Sequence, residues 1–272
     1  MKNDHRKVES RNKNFSSRPV SLIWQEEASK ENPYIATACR CHGYDLLELI
    51  QKRSFVDVLF LLFQGELPTA NQSRLLEQLM IGLINPGPRH PATRAAMLAA
   101  VSKTDPAHLL PISLSILGGS HLGAGEIEEA MLFLQNNGES APDNMARAIR
   151  NQDKPADGGD WHPFPGFGSR FGSIDILSNR IATQLVTLPG AGKALVWGNA
   201  LATALNAQEM GWLPTGLAAA AFFDLGFHPK AGAGLYQILC APGILAHGFE
   251  FISKPMTAMP FPKDEEYFIE ED

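Results

Sequence analysis

The chain has 272 residues, of which 23 are lysine or arginine and 29 are aspartate or glutamate, giving a formal net charge of −6. Hydrophobic residues make up 44% and charged residues 19%, which excludes a globally disordered chain, and the acidic balance argues against a nucleic-acid-binding protein. Only three cysteines (Cys39, Cys41 and Cys240), no secretory leader pattern and no apolar run of about 20 residues together predict a cytoplasmic protein without a membrane anchor.

The elements in chain order begin with a polar stretch, residues 1–19, which predicts a disordered tail. Residues 20–24 are a short apolar run that fits a strand or a helix start. From Asp45 onward the apolar spacing becomes helical. Ser54 caps a helix that is stopped by Gly65 and Pro68, and Thr69 opens a second helix, which ends at the NPGP of residues 85–88.

The rest of the chain repeats this helical spacing, and period-two alternation is scarce, so an all-α fold is predicted. A polar, glycine-rich stretch at 151–161 predicts a domain boundary. We therefore expect a large helical domain over 20–150 and 226–272 and a small one over 151–225. The further helices are predicted at about 91–103, 106–118, 124–136, 141–151, 175–188, 191–210, 215–225, 230–240 and 242–253.

The glycine-rich segment PGFGSRFG, residues 165–172, is the strongest candidate for function. Its glycines cannot hold a regular element but allow close approach of the backbone, which fits a ligand loop or a plain connector. The glycine spacing is wrong for a Rossmann dinucleotide loop, and no strand precedes it. GAGK at 190–193 lacks the remaining P-loop residues, so it is interpreted as a helix start.

Two further groups are candidates with a plain structural alternative. CRCH at 39–42 could hold a soft metal, but no second pair of ligands follows at a usable spacing, so no metal is predicted. His121 stands among four glycines between two apolar helices, where glycine permits a ligand to approach. The alternative for His121 is a satisfied interhelical histidine.

Several of these segments, in order, resemble the citrate synthase superfamily, and specifically its short branch of citryl-CoA lyases and the lyase module of ATP citrate lyase. The similarity covers most of the chain from Gly43. The segments that carry it are GYDLLELI at 43–50, SFVDVL at 54–59, LFQGELP at 62–68, GGSHLGAG at 118–125, the PGFGSRFG loop, and PGILAH at 242–247 with Glu250.

The resemblance implies an all-helical fold in which a large and a small domain close over a cleft, assembled as a homodimer or a multiple of one. It also implies chemistry that makes or breaks a carbon–carbon bond between an acyl-CoA α-carbon and a keto-acid carbonyl. In that chemistry one histidine binds the thioester oxygen, an aspartate moves the α-proton, and a second histidine polarises the keto group. Arginines and another histidine bind the carboxylates.

This sequence departs from the family pattern at several of these positions. His121 matches the thioester histidine, but the histidine of the PGFGHR loop is Ser169 and the aspartate of the Val-Asp-Gly motif is Thr215. After the loop, Asp175 is kept while the arginine two residues on is Leu177. The remaining correspondences are Pro86 for the histidine of Asp-His-Gly-Pro, Cys240 for the arginine of the closing helix, and Lys254 for a late basic residue.

The changes predict a retained thioester site and a lost oxaloacetate site. A threonine hydroxyl is no base at neutral pH, and losing a general base typically costs about 10²–10⁴-fold in rate. Asp175 is the replacement base that we expect. Contacts with coenzyme A, the thioester substrate, are expected from Gly166, Gly168, Arg170, Phe171, Gly243 and His247.

Two functional hypotheses follow from these departures. The first is an acyl-CoA lyase or condensing enzyme whose small carbonyl acceptor is less anionic than oxaloacetate. The alternative is a catalytically inactive CoA-binding pseudoenzyme, or a partner of an active paralogue.

Overall fold

The computed structural model describes residues 21–149 and 160–260. Contacts between Cα atoms divide the chain into two units, residues 1–68 and 69–272. The described part contains eleven α-helices and five short strands, so the predicted all-α class is confirmed. The predicted tail at 1–19 lies outside the described residues. The predicted small domain at 151–225 stays a prediction, and its first residues are also outside that range.

The first unit begins with a three-stranded antiparallel sheet of β1 (Trp24–Ala28), β2 (Ala36–Cys41) and β3 (Tyr44–Asp45). Two helices follow, α1 (Leu46–Lys52) and α2 (Phe55–Gln64). A small core of Cys41, Leu49 and Leu61 joins sheet to helices. The sequence analysis missed β2 and β3 and left the segment at 20–24 open, because every residue of β1 is exposed and gives no apolar alternation.

Helix α2 begins and ends where the sequence predicts. Ser54 accepts a hydrogen bond from the Asp57 amide, and the Asp57 carboxylate accepts one from the Ser54 amide, which forms a capping box. Gly65 ends the helix with a φ of 78°, a left-handed conformation that glycine adopts without strain.

The second unit is a helical assembly with one two-stranded ribbon. Its helices are α3 (Ala70–Leu83), α4 (Pro91–Val101), α5 (Leu109–Leu117), α6 (Ile127–Asn137), α7 (Pro142–Ile149), α8 (Ile176–Val186), α9 (Lys193–Leu205), α10 (Pro214–Asp224) and α11 (Gly232–Phe251). Strands β4 (Phe167–Gly168) and β5 (Gly211–Trp212) pair antiparallel. Thr69 caps α3 as predicted, again in a capping box.

Helix α10 is the centre of the second unit. Residues 215–222 are all buried, and the helix packs against α6 and α9. Its run of alanines lets neighbouring helices approach closely. At its end, the Asp224 carboxylate accepts hydrogen bonds from the amides of Gly192, Ala194 and Leu195. The GAGK segment is thus a helix start, as predicted.

Helix α11 corrects one prediction. Two helices were expected at 230–240 and 242–253, with a break at Pro242, but one helix runs through. Proline lacks an N–H and normally disrupts a helix interior. Here the next amide, that of Gly243, donates to the Ile84 carbonyl at 3.0 Å. The bonds that the helix loses at Pro242 are partly replaced by this contact with the end of α3.

Candidate functional site

A tight glycine turn presents His121. The turn lies between α5 and α6, and a Cβ on Gly123 would overlap the Gly119 carbonyl, so only glycine fits there. Leu122 has a φ of 54°, and its carbonyl accepts a hydrogen bond from Nε2 of His90 at 3.1 Å. The backbone on either side of His121 is therefore held in place while its side chain remains 68% exposed.

His121 belongs to a group of three titratable side chains. Its Nε2 lies 3.3 Å from Oδ2 of Asp160, whose side chain is only 7% exposed. The ring stacks on that of His162, with centroids 5.3 Å apart and planes 8° apart. Burial lowers the pKa of His162, so this second imidazole is neutral at neutral pH. The sequence analysis did not identify Asp160 or His162.

The glycines of the loop at 165–172 pack against other segments of the same chain. Gly166 has a φ of 79°, and a Cβ there would overlap the Cα of Gly216 at the start of α10. The Gly166 carbonyl accepts from the Leu213 amide at 3.0 Å, and Gly168 packs against Trp161 and His162. Both glycines are buried. Their close approach is used for packing, and their contact with coenzyme A stays a prediction.

Ser169 is also tied to the protein. It is 6% exposed, its Oγ accepts from the Trp161 amide at 3.2 Å, and its own amide donates to the Trp161 carbonyl at 2.9 Å. The side chain that replaces the family's loop histidine therefore fixes the loop to the preceding segment. Its predicted catalytic role is not decided by these contacts.

Arg170 and Asp175 form an ion pair. The distance from Nη1 to Oδ2 is 3.1 Å, and the two side chains are 23% and 8% exposed. The other Asp175 oxygen accepts from the Ser178 amide and so caps α8. Both oxygens of the base expected from the sequence are therefore engaged. The next residue after Arg170, Phe171, is 71% exposed, with its ring 5.6 Å from the guanidinium carbon.

A cavity of about 110 Å³ lies beside this ion pair. It brings together four residues singled out in the sequence, Pro86, Arg170, Asp175 and Cys240, with Leu177, the residue that replaces the arginine after the loop. The other lining residues are Gly82, Leu83, Asn85, His90, Leu122, Ser178, Ile181, Pro214 and Tyr236.

The titratable groups of the cavity wall are neutral apart from the ion pair. Burial raises the pKa of the Cys240 thiol to about 12 and raises that of Tyr236 well above its ordinary value. Burial also lowers the pKa of His90, whose Nδ1 accepts from the Ala92 amide. Because Asp175 already balances Arg170, the wall carries no unbalanced positive charge.

A buried carboxylate at Glu126 was missed by the sequence analysis. Glu126 is 7% exposed, and its Oε2 accepts a 2.6 Å hydrogen bond from the Thr215 hydroxyl. Its Oε1 accepts from the Gly166 amide at 2.8 Å. The position that resembles the family's aspartate is therefore one hydrogen bond away from a carboxylate. The available signal was an acidic residue directly after the glycine turn and before α6.

The second half of α11 packs on the turn that follows α3. A Cβ on Gly243 would overlap Asn85, and Nε2 of His247 lies 3.2 Å from Nδ2 of Asn85. Gly243 and His247 thus lie behind a residue of the cavity wall. Lys254 does not line the cavity. Its Nζ lies 2.7 Å from Oε1 of Glu250 and over the ring of Phe251. The predicted ligand contacts of all three residues stay predictions.

The described residues were also compared with the requirements of a metal site and of a membrane-spanning helix. Within residues 21–149 and 160–260, no three histidine, cysteine or acidic side chains lie together in a way that could hold a metal ion. In the same ranges, none of the helices combines the length and the apolar character needed to cross a bilayer.

Comparison with known proteins was made by sequence and by structure. No protein-family model and no curated protein sequence matches the chain. Among solved structures, citryl-CoA lyase from Hydrogenobacter thermophilus is 24% identical, with a TM-score of 0.71 over 93% of this chain and 94% of that one.

Two further structures share the fold at lower identity. ATP citrate lyase from Methanosaeta concilii, in complex with (3S)-citryl-CoA, is 15% identical, with a TM-score of 0.68 over 94% of this chain and 44% of that one. Citrate synthase from Thermoplasma acidophilum, in a ternary complex with carboxymethyl coenzyme A and oxaloacetate, is 18% identical, with a TM-score of 0.58 over 80% and 58% of the two chains. At these identities the similarity concerns the fold alone, and the chain shares the all-α fold of these three structures.

Proposed function

We propose that this protein makes or breaks the bond between the α-carbon of an acyl-CoA and a small carbonyl compound that is less anionic than oxaloacetate. The fold supports the class of reaction, since its structural neighbours include a lyase bound to citryl-CoA and a synthase bound to a CoA analogue with oxaloacetate. The inference that the acceptor differs from oxaloacetate rests on the charge of the cavity wall.

That wall offers little to a polyanion. A charge-assisted hydrogen bond to a carboxylate contributes roughly 1.5–3 kcal/mol, and it requires a cation that is free to make it. Arg170 supplies the cation of this wall, and Asp175 balances its charge, although the buried Nε of Arg170 has no hydrogen-bond partner among the described residues. The thiol of Cys240 is held protonated by burial. A neutral aldehyde or ketone loses less hydration in such a pocket than a citrate-like trianion, whose three charges Arg170 alone would not compensate.

The proposed roles of the site residues come from the family resemblance. His121 would donate to the thioester oxygen as it becomes an enolate, because its side chain is exposed on a fixed backbone. Arg170 would contact phosphate or carboxylate through the donors that Asp175 leaves free. Phe171 presents an exposed ring to the cofactor, and Ser169 would act on the acceptor carbonyl.

The assembly and the setting are part of the same proposal. A homodimer or a multiple of one follows from the family resemblance, and the exposed side chains of Ile112 and Ile116 on α5 are candidates for its interface. The three cysteines are free thiols, which supports a reducing, cytoplasmic setting.

The test is turnover over a panel of acyl-CoAs with neutral aldehydes and ketones, measured as released CoA thiol and as product mass. We expect turnover with at least one pair and little with oxaloacetate. His121→Asn should lower the rate at least about 100-fold, the lower end of what general acid–base catalysis contributes. The matched control is His108→Asn, an exposed histidine outside the cavity, which should keep the wild-type rate.

The alternative, a CoA-binding protein without catalysis, is favoured by one specific observation. Ser169 and Asp175, two of the predicted catalytic side chains, are already bonded within the protein. A binder of this kind would bind acetyl-CoA and leave its α-protons unexchanged in deuterated water. Turnover, or exchange without turnover, would rule this alternative out.

A further inference from the structure

We propose that Glu126 is the base that removes the α-proton of the acyl-CoA, in place of the aspartate that the family resemblance would put at residue 215. This inference rests on the proposed function and names a residue for it. The central observation is the 2.6 Å hydrogen bond between Oε2 of Glu126 and the hydroxyl of Thr215. A carboxylate therefore lies one hydrogen bond away from the side chain of residue 215.

The other largely buried carboxylates near the cavity or under α10 have other tasks. Asp175 neutralises Arg170 and caps α8. Asp224 accepts hydrogen bonds from three backbone amides. Asp160 pairs with His121 and accepts a hydrogen bond from the amide of Phe171. Within the described ranges, no lysine or arginine pairs with Glu126. Both oxygens of Glu126 accept a hydrogen bond, but the two donors are neutral, and a carboxylate has about four lone-pair positions. Room remains for a third contact.

Glu126 is also fixed relative to His121. Both belong to the turn at 118–126, in which Gly123 and Gly125 pack directly against the backbone of Gly119. A base and a thioester-binding group must keep a constant separation while the proton moves. The packed glycine turn fixes the backbone between His121 and Glu126, which are five residues apart.

The surroundings of Glu126 favour proton transfer. Pro214, the residue before Thr215, lines the cavity, while Thr215 and Glu126 are buried behind that part of the wall. The buried Nε2 of His162 has no hydrogen-bond partner among the described residues. Burial lowers the pKa of His162, and the negative charge of Glu126 partly opposes that effect. Exclusion of water strengthens the electrostatic effect of a carboxylate on a developing enolate.

The proposed step balances without a further reactant. The C–H bond of the α-carbon breaks, its electron pair enters the thioester enolate, and the proton goes to a carboxylate oxygen of Glu126. In the cleavage direction the protonated Glu126 returns the proton to the same carbon. In deuterated water the carboxyl group exchanges its proton, so the acyl group becomes labelled.

The experiment measures deuterium uptake by acetyl-CoA and propionyl-CoA, with and without a neutral ketone. Glu126→Gln should lower uptake about 10²–10⁴-fold, the range for loss of a general base. Its amide oxygen still accepts from Gly166 and its NH₂ donates to Thr215, so unfolding by urea and calorimetric acetyl-CoA affinity should stay close to wild type. The matched control, Glu129→Gln, changes an exposed glutamate of α6 and should keep the wild-type rate.

A second variant places the carboxylate at residue 215. Glu126→Gln combined with Thr215→Asp should recover uptake at least tenfold over Glu126→Gln alone, an effect that a merely structural Glu126 would not produce. Wild-type uptake in Glu126→Gln, or no recovery in a folded, CoA-binding double variant, would overturn the assignment and leave the proposed function standing. No uptake by the wild-type protein would overturn both.

Discussion

The hydroxyl of Thr215 and the carboxylate of Glu126 share a 2.6 Å hydrogen bond in the interior of the second unit. Thr215 is 1% exposed and Glu126 is 7% exposed, and the same carboxylate holds the glycine loop through Gly166. The contact therefore joins three segments, the turn before α6, the loop, and the start of α10. It serves packing, and the proposal gives the same carboxylate a catalytic role.

Removing the hydroxyl tests the structural part of this contact. Thr215→Val keeps the shape of the side chain but leaves Oε2 of Glu126 buried without its donor. An unsatisfied buried polar group costs about 1–3 kcal/mol in the free energy of unfolding. Thr215→Ser keeps the donor and should lose less than Val does. Both values come from urea unfolding curves at pH 7, and equal stabilities for Val and wild type would show that the bond contributes nothing.

Breaking the Arg170–Asp175 ion pair should cost stability in an asymmetric way. Arg170→Ala leaves a carboxylate that is 8% exposed without its cation, and we expect a loss of roughly 2 kcal/mol. Asp175→Asn also removes the pair, but asparagine remains a good N-cap for α8, and Arg170 is more exposed. Its loss should therefore be smaller. A larger loss for Asp175→Asn than for Arg170→Ala would contradict this account.

The glycine loop offers a test of close packing against backbone strain. Gly166 and Gly87 both have positive φ, 79° and 88°, but a Cβ on Gly166 overlaps Gly216 while one on Gly87 meets nothing within 4 Å. Gly87→Ala should cost only the left-handed strain, about 1 kcal/mol. Gly166→Ala adds the steric overlap and should cost about 3 kcal/mol or more. Thermal unfolding of the two variants gives the comparison, and similar melting temperatures would refute the packing role.

The buried histidines predict acid sensitivity. Burial lowers the pKa of His90 below the ordinary value of about 6.5, so the unfolded chain binds a proton there more readily than the folded one. The free energy of unfolding should therefore fall as the pH drops below about 6.5. His90→Asn keeps the cap of α4 and should make this fall shallower. It should not abolish it, because burial lowers the pKa of His162 too. An unchanged slope between pH 7.5 and 5.5 in His90→Asn would count against the assignment.

Local signals in the sequence predicted much of the fold. Ser54 and Thr69 cap their helices where expected, because each offers an oxygen to an amide three residues on. The break expected at Pro242 was wrong because the compensating contact of Gly243 with Ile84 is tertiary and leaves no mark nearby in the chain. The exposed strand β1 was left open because it lacks an apolar pattern.

Four of the site residues named from the sequence line one cavity, whereas His121, Ser169 and Thr215 do not line it, and the roles of all of them stay predictions. The cavity brings Pro86 and Cys240 together with the Arg170–Asp175 pair, which lies far from both in the chain. Glu126 was missed because its partners, Gly166 and Thr215, are 40 and 89 residues away. No spacing rule detects a contact of that kind. The partners of Asp175 are close in the chain, Arg170 five residues before it and Ser178 three after it, and the ion pair was missed because it depends on how the loop folds back.

The central claim is that the protein binds a CoA thioester in a site that no longer recognises a citrate-like anion. Isothermal titration of the protein with CoA and acetyl-CoA, in the presence and absence of citrate, tests it most directly. We predict that both ligands bind and that citrate leaves their affinities unchanged. Tighter acetyl-CoA binding with citrate present would contradict the altered acceptor site, and no binding of either ligand would contradict both the enzyme and the binding-protein accounts.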